Sequence, residues 1–203
     1  MLHAARERGE ELSRASAPAS GPVVGGESRN TATPSAQRYR LTVPRTLLGG
    51  QYTLAEDMSQ EMENDLGGLT NGGNERNAKG VGGHYTAASD PGPETVIFTG
   101  IYGEIGDPKR AMDGWFKGMN GNQGFQVTTP AKDVTPPGVA EHVTCERYAF
   151  NRSEGSGTMA VCGWSDHSTV ATVSVPDAAA PITLEALAKK TVEMRDELRK
   201  PLE

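Results

Sequence analysis

Residues Val143–Val175, VTCERYAFNRSEGSGTMAVCGWSDHSTVATVSV, hold three short runs of β-branched and aromatic residues separated by two polar turns, NRSEGSG and SDHS. Runs of this kind, bounded by Asn, Gly, Asp and Ser, read as consecutive strands joined by tight turns. The stretch also contains both cysteines of the chain. With the first turn centred near Glu154, the hairpin sets Val143 against Trp164 and Cys145 against Cys162. Opposed residues of a non-hydrogen-bonded antiparallel pair lie ~4.5 Å apart at Cα, within reach of a disulfide. A one-residue slip in register would separate the sulfurs. The alternative is a pair of free buried thiols in a reducing compartment. A zinc site is weaker than either, since there is no CxxC and no histidine pair at ligand spacing.

Downstream, after Pro181, comes the most convincing amphipathic helix, Leu184–Leu198. Leu184, Leu187, Ala188, Val192, Met194, Arg195 and Leu198 form a one-sided stripe that reads as a sheet-packing face. Lys189, Lys190, Glu193, Asp196, Glu197, Arg199 and Lys200 are expected on its wet side. Upstream, YRLTV from Tyr39 alternates as a strand, and RTLLGGQYTL bends at Gly49 and Gly50. AEDMSQEMENDL comes next as an acidic helical turn or two. The Gly- and Asn-rich segment between Gly67 and Gly83 predicts a long loop with no core. HYTAAS and TVIFTGIYGEI around DPGP read as a hairpin. Asp107 followed by Pro108 marks a helix start, with Ala111, Met112, Trp115 and Met119 at helical spacing. FQVTT before Pro130 is a further strand, and AKDVTPPGVAEH is a connector.

These elements predict an α+β fold: an antiparallel sheet built from hairpins, with helices packed mainly on one face. The order of elements suggests two similar halves, one opening with YRLTVP and the other with FQVTTP. The chain has 203 residues, 35% of them hydrophobic, with 25 glycines and 13 prolines. The apolar share is low and the Gly and Pro content high for a globular chain, so part of the length should lie outside any core. Residues 1–38 are small, polar and charged, and read as a disordered linker or tether, with a solvated helix conceivable over Ala4–Arg14. Residues 39–202 read as a single domain.

A net charge of −6 offers no basic footprint for a nucleic-acid backbone. No run of ~18 apolar residues exists to span a membrane. The first residues lack the apolar middle of a secretory signal and read as a cytoplasmic start. A Ser/Pro/Gly/Ala-rich tether, however, usually comes after an anchor or signal, so an upstream apolar segment is expected.

AVCGWSDHSTVATVSV, the upstream cysteine in VTCERY, the LEALAKKTVEMRDEL helix and VPRTLLGGQYTL together resemble a group of uncharacterised actinobacterial proteins. The likeness runs from about Tyr39 to Leu198 and is sharpest at Cys162, Trp164 and Asp166. In that group a comparable domain stands outside the membrane behind a hydrophobic anchor and a low-complexity tether, and the resemblance implies the same here. It carries no activity with it.

Ser165, Asp166, His167 and Ser168 supply the residue types of a hydrolytic triad. Neighbours in one tight turn do not aim at one another as that chemistry requires, and no GxSxG elbow is present. A polar turn in which Asp166 and Ser168 bond to the backbone is the expectation. His84, His142 and His167 are scattered and read as separate surface or half-buried side chains. The acidic group Glu56, Asp57, Glu61, Glu63 and Asp65 lacks the ligand pattern of an EF-hand. GGNERNAKGVGG lacks the GK[ST] ending of a phosphate loop. No cofactor or metal is therefore expected. Trp115, with Phe116, and Trp164 are candidates for a binding groove, but large aromatics in a small domain belong first to its core.

The expected function is a non-enzymatic extracytoplasmic or cell-surface binding domain stabilised by Cys145–Cys162, its partner another cell-envelope protein or a small ligand. Any membrane association would run through an anchor outside this chain. A hydrolase or transferase assembled by the fold around His142, Asp166 and His167 is the alternative. A cytoplasmic location applies if the chain's own start is the true one.

Overall fold

The computed structural model describes residues 37–65, 70, 73–88, 95–121, 124–152, 155–177 and 181–202. By its contacts the chain divides into Met1–Ser35 and Ala36–Glu203, and every described residue belongs to the second unit. The helix considered over Ala4–Arg14 and the DPGP turn lie outside the described residues.

In chain order the elements are β1 (Tyr39–Leu41), β2 (Thr46–Leu47), β3 (Tyr52–Asp57), α1 (Ser59–Asn64), β4 (Glu75–Ala87), β5 (Thr95–Ile105), α2 (Pro108–Asn120), β6 (Phe125–Asp133), β7 (Val143–Arg152), β8 (Gly155–Ser165), β9 (Thr169–Pro176), α3 (Leu184–Leu198) and β10 (Arg199–Pro201). Eight strands make one antiparallel sheet in the order β2-β3-β4-β5-β9-β8-β7-β6. Two four-stranded meanders thus meet side by side, with the last strand of each, β5 and β9, paired at the centre. The fold is α+β, as the sequence predicts. YRLTV and FQVTT nevertheless take different places. β6 is the outer edge of the large sheet, whereas β1 leaves it and pairs with β10 as a separate ribbon.

Successive strand residues face opposite sides of a sheet, so β8 serves two layers. Ala160, Cys162 and Trp164 pack with Leu184, Leu187, Ala188, Met194 and Leu198 of α3. Val161 points the other way, into a cluster with Ala111, Met112, Trp115 and Phe116 of α2 and Met62 of α1. Two of the three described helices therefore share one face, and the closing helix covers the other. Both longer helices begin on the caps their sequences supply. Asp107 accepts from the Arg110 N–H at 3.0 Å, and Thr183 Oγ1 accepts from the Ala186 N–H at 3.1 Å.

The segment expected to be a coreless loop departs most from the sequence reading, because β4 already begins at Glu75 and Val81 is buried. Its glycines answer to close packing. A Cβ on Gly80 would lie 2.5 Å from the Met62 carbonyl carbon, and one on Gly82 2.9 Å from Met62 Cγ. Strand β4 is bare on that face so that α1 can rest directly on its backbone, and Glu63 Oε2 accepts from the Gly80 N–H at 2.7 Å. β6 likewise runs through Pro130 to Asp133, taking in the start of the expected connector. A proline, which has no N–H to donate, is tolerated there because β6 is an edge strand.

Candidate functional site

The hairpin of β7 and β8 has the register its turn dictates: Val143 opposes Trp164, and Cys145 opposes Cys162. The cysteines form a disulfide with their Cα atoms 4.1 Å apart. Both are completely buried on the α3 face, and their sulfurs lie 3.8 and 3.7 Å from the Leu184 carbonyl oxygen in the first turn of α3. The bridge is a packing element beneath a helix, closed to solvent.

Trp164 is fully buried beside it, its ring stacked with that of Phe98 at 6.4 Å between centroids. Its indole Nε1–H donates to Thr169 Oγ1 at 3.2 Å. Trp115 and Phe116 are buried in the opposite layer. Both indoles are packed within the two core layers. Another buried polar group lies near the end of α2, where Tyr148 OH donates to Glu146 Oε2 at 2.8 Å and Asn120 Nδ2 reaches Oε1 at 3.4 Å. Burial, and next the adjacent Glu146 carboxylate, push the Tyr148 phenol far above its ordinary value.

The SDHS turn is a junction of bonds centred on Asp166. Its Oδ1 accepts from Ser168 N–H (2.6 Å), Ser168 Oγ–H (2.6 Å) and Thr169 N–H (2.8 Å). Oδ2 accepts from Thr169 Oγ1 (2.7 Å) and from Arg199 Nη1 (3.0 Å). Ser168 Oγ in turn accepts the Tyr39 N–H of β1 at 3.0 Å. Arg199 also donates to Glu141 Oε1 at 3.0 Å and lies over the Tyr39 ring, 4.0 Å from its centroid. Arg195, another buried cation, donates to Glu141 Oε2 at 2.9 Å. Burial alone pushes the Asp166 carboxyl up, but the bonds from Ser168, Thr169 and Arg199 overcome it and leave the group below its ordinary value. The same balance, burial against Arg199 and Arg195, lowers Glu141.

The residues considered for catalysis are thus each engaged separately. Ser168 and Asp166 bond to one another and to backbone. His167 Nδ1 faces the Ile105 carbonyl at 3.1 Å. His142 is exposed and pairs through Nδ1 with Asp133 Oδ2 at 2.6 Å, which, behind the bonds from Thr135, helps hold Asp133 below its ordinary value. His84 sits within β4, opposite Ile97 and Glu56. Among the described residues no group of three or more His, Cys, Asp or Glu is placed to hold a metal ion. The acidic cluster is divided: Asp57 accepts from the Ser59 N–H and Glu63 from Gly80.

Two residues expected on the wet side of the closing helix lie elsewhere. Arg199 has left the helix and turns inward to Asp166, while Lys190 is half-buried, 5.2 Å from the centroid of the Tyr52 ring, with its ammonium lowered by burial. Glu141, the third member of the junction, carries no local sequence signal; it lies near the end of the proline-containing connector and becomes significant only through its two distant arginines.

Fold and site define an α+β domain with a two-meander antiparallel sheet, a disulfide buried under its closing helix and a charged junction tying its ends together. In structure the chain is similar to LpqN of Mycobacterium tuberculosis, which is involved in cell envelope biogenesis, with a TM-score of 0.37 and 16% identity over 85% of this chain and 88% of that one. No family model and no curated protein matches the chain. None of the described helices is long and apolar enough to cross a membrane.

Proposed function

We propose that this chain is a non-enzymatic binding or interaction domain that works outside the cytoplasm, with residues 1–38 as its tether and another cell-envelope protein or a small ligand as its partner. The observation that carries the reading is the Cys145–Cys162 bridge, fully buried on the α3 face of the β7–β8 hairpin and capped by that helix. A bridge so enclosed has no access to exchange partners, and disulfides of that structural kind persist in oxidising compartments. The groups that would be needed for hydrolysis support the same reading, because Asp166, Ser168 and His167 are each held in bonds that shape the turn.

The test is intact-mass measurement of protein isolated from its native source and alkylated under denaturing conditions, with and without reductant. Adducts on Cys145 and Cys162 are expected only after reduction. If both thiols alkylate without reductant, the extracytoplasmic assignment is lost.

A further inference from the structure

The ribbon formed by the two ends of the domain has an outward face that gathers cations beside an exposed leucine. Tyr39, Leu41 and Arg199 turn inward, while Arg40 and Lys200, directly opposed in register, are both exposed. The next pair along, Arg38 and Leu202, is joined by Leu202 N–H donating to the Arg38 carbonyl at 2.8 Å, and both side chains are exposed. Like charges directly opposite one another destabilise a strand pair, so Arg40 facing Lys200 has a cost within the fold. Nothing among the described residues relieves it. None of Arg38, Arg40 and Lys200 has an acidic partner there, and Arg38 reaches only the Gly103 carbonyl at 3.2 Å. Beside these cations stands Leu202, the one large hydrophobic side chain exposed among the described residues, at 39%. In a chain of net charge −6, the segments 37–43 and 199–202 contain no Asp or Glu, and the first acidic residue after the second segment is Glu203.

We propose that this face, Arg38, Arg40, Lys200 and Leu202, is a contact surface for an anionic lipid bilayer, a reading that rests on the extracytoplasmic, tethered arrangement proposed above. Cations that meet no carboxylate are complementary to lipid phosphates, and an adjacent leucine suits the boundary between headgroups and acyl chains. Position supports the same partner. Residues 1–38 run directly into β1, so the tether proposed above attaches at this ribbon.

The test is co-sedimentation of the full, disulfide-bonded chain with vesicles of equal parts phosphatidylglycerol and phosphatidylcholine, and with phosphatidylcholine alone. The wild type is expected on the anionic vesicles, releasing as salt rises, and not on the neutral ones. Each cation near the surface is worth about a five-fold change in partitioning, so combining Arg38→Gln, Arg40→Gln and Lys200→Gln should lower it by about a hundred-fold. Combining Arg110→Gln, Lys117→Gln and Lys189→Gln makes the same change in net charge elsewhere and should leave most of the binding intact. The proposal is overturned if the wild type ignores anionic vesicles or if the two triple variants behave alike. Thermal melts check that each variant is folded; should the ribbon triple fail, Lys200→Gln alone, with its expected five-fold loss, decides the matter. Free native thiols together with anionic-vesicle binding would sink the functional reading and leave this surface standing.

Discussion

Replacing Asp166 with alanine probes the junction directly. Two turn N–H groups, two hydroxyls and the Arg199 guanidinium lose their common acceptor, and Arg199 keeps Glu141 and the Tyr39 ring. A hydrogen bond to a charged group contributes about 1.5–3 kcal/mol, but bonds sharing one carboxylate do not add, and breaking a buried ion pair costs about 3–5 kcal/mol. A loss of ~3–5 kcal/mol at neutral pH is therefore expected for Asp166→Ala. Asp166→Asn retains an acceptor for the turn but sets a neutral amide against Arg199, and a loss of about 2 kcal/mol is expected. Urea unfolding followed by tryptophan fluorescence measures both, with the slope on denaturant unchanged. The pH dependence supplies an independent check. Because the folded carboxyl lies below its ordinary 3.8, its stabilisation is complete above that value and is lost as the pH falls through the folded pKa. The gap between wild type and Asp166→Ala should then narrow only below about pH 4. A variant within about 1 kcal/mol of wild type at neutral pH would refute the reasoning, because a loss that small is below the value of even one bond to a charged group.

Reduction of the bridge, whose cysteines are 17 positions apart, should lower stability by about 3 kcal/mol in the chain-entropy account; an unchanged urea midpoint with both thiols shown to be free would contradict it. Gly80→Ala drives a methyl group into the backbone of α1 and should cost about 2–3 kcal/mol, read as a lowered urea midpoint, with β4 amides exchanging faster. Gly118→Ala lies on the exposed side of α2 with open space around the added methyl and should stabilise by ~1 kcal/mol, raising Tm by about 2–4 °C. A fall in Tm there would show that α2 is held differently.

Features legible in the sequence and features hidden from it divide by the range of the interactions involved. The β7–β8 register arises from a turn and the alternation beside it, so Cys145 meets Cys162 on purely local grounds. The bounds of α3 come from a helical stripe that ends where its period ends. Strand β4 cannot be read in this way. A run rich in glycine has the composition of a loop, and only the presence of α1 above Gly80 and Gly82 turns missing side chains into a packing surface. Arg199 escapes a local reading for a related reason. A helical wheel carried one residue past Leu198 points its side chain to solvent, whereas the backbone at Arg199 is already extended, and the change of direction delivers the guanidinium to Asp166 and Glu141.

The junction also accounts for why residue types associated with hydrolysis occur in a turn that holds them in structural bonds. Ser, Thr and Asp in a short turn satisfy N–H groups that no strand can reach, and here they go further, taking up the Tyr39 N–H of β1 and the first side chain of β10. The turn between β8 and β9 therefore fixes where both ends of the domain lie. It is this placement, rather than any reactive arrangement within SDHS, that brings Arg38 and Arg40 alongside Lys200 and Leu202. Loss of Asp166 should accordingly loosen the ribbon along with the turn, so the geometry of the ribbon depends on a half-buried carboxylate behind it.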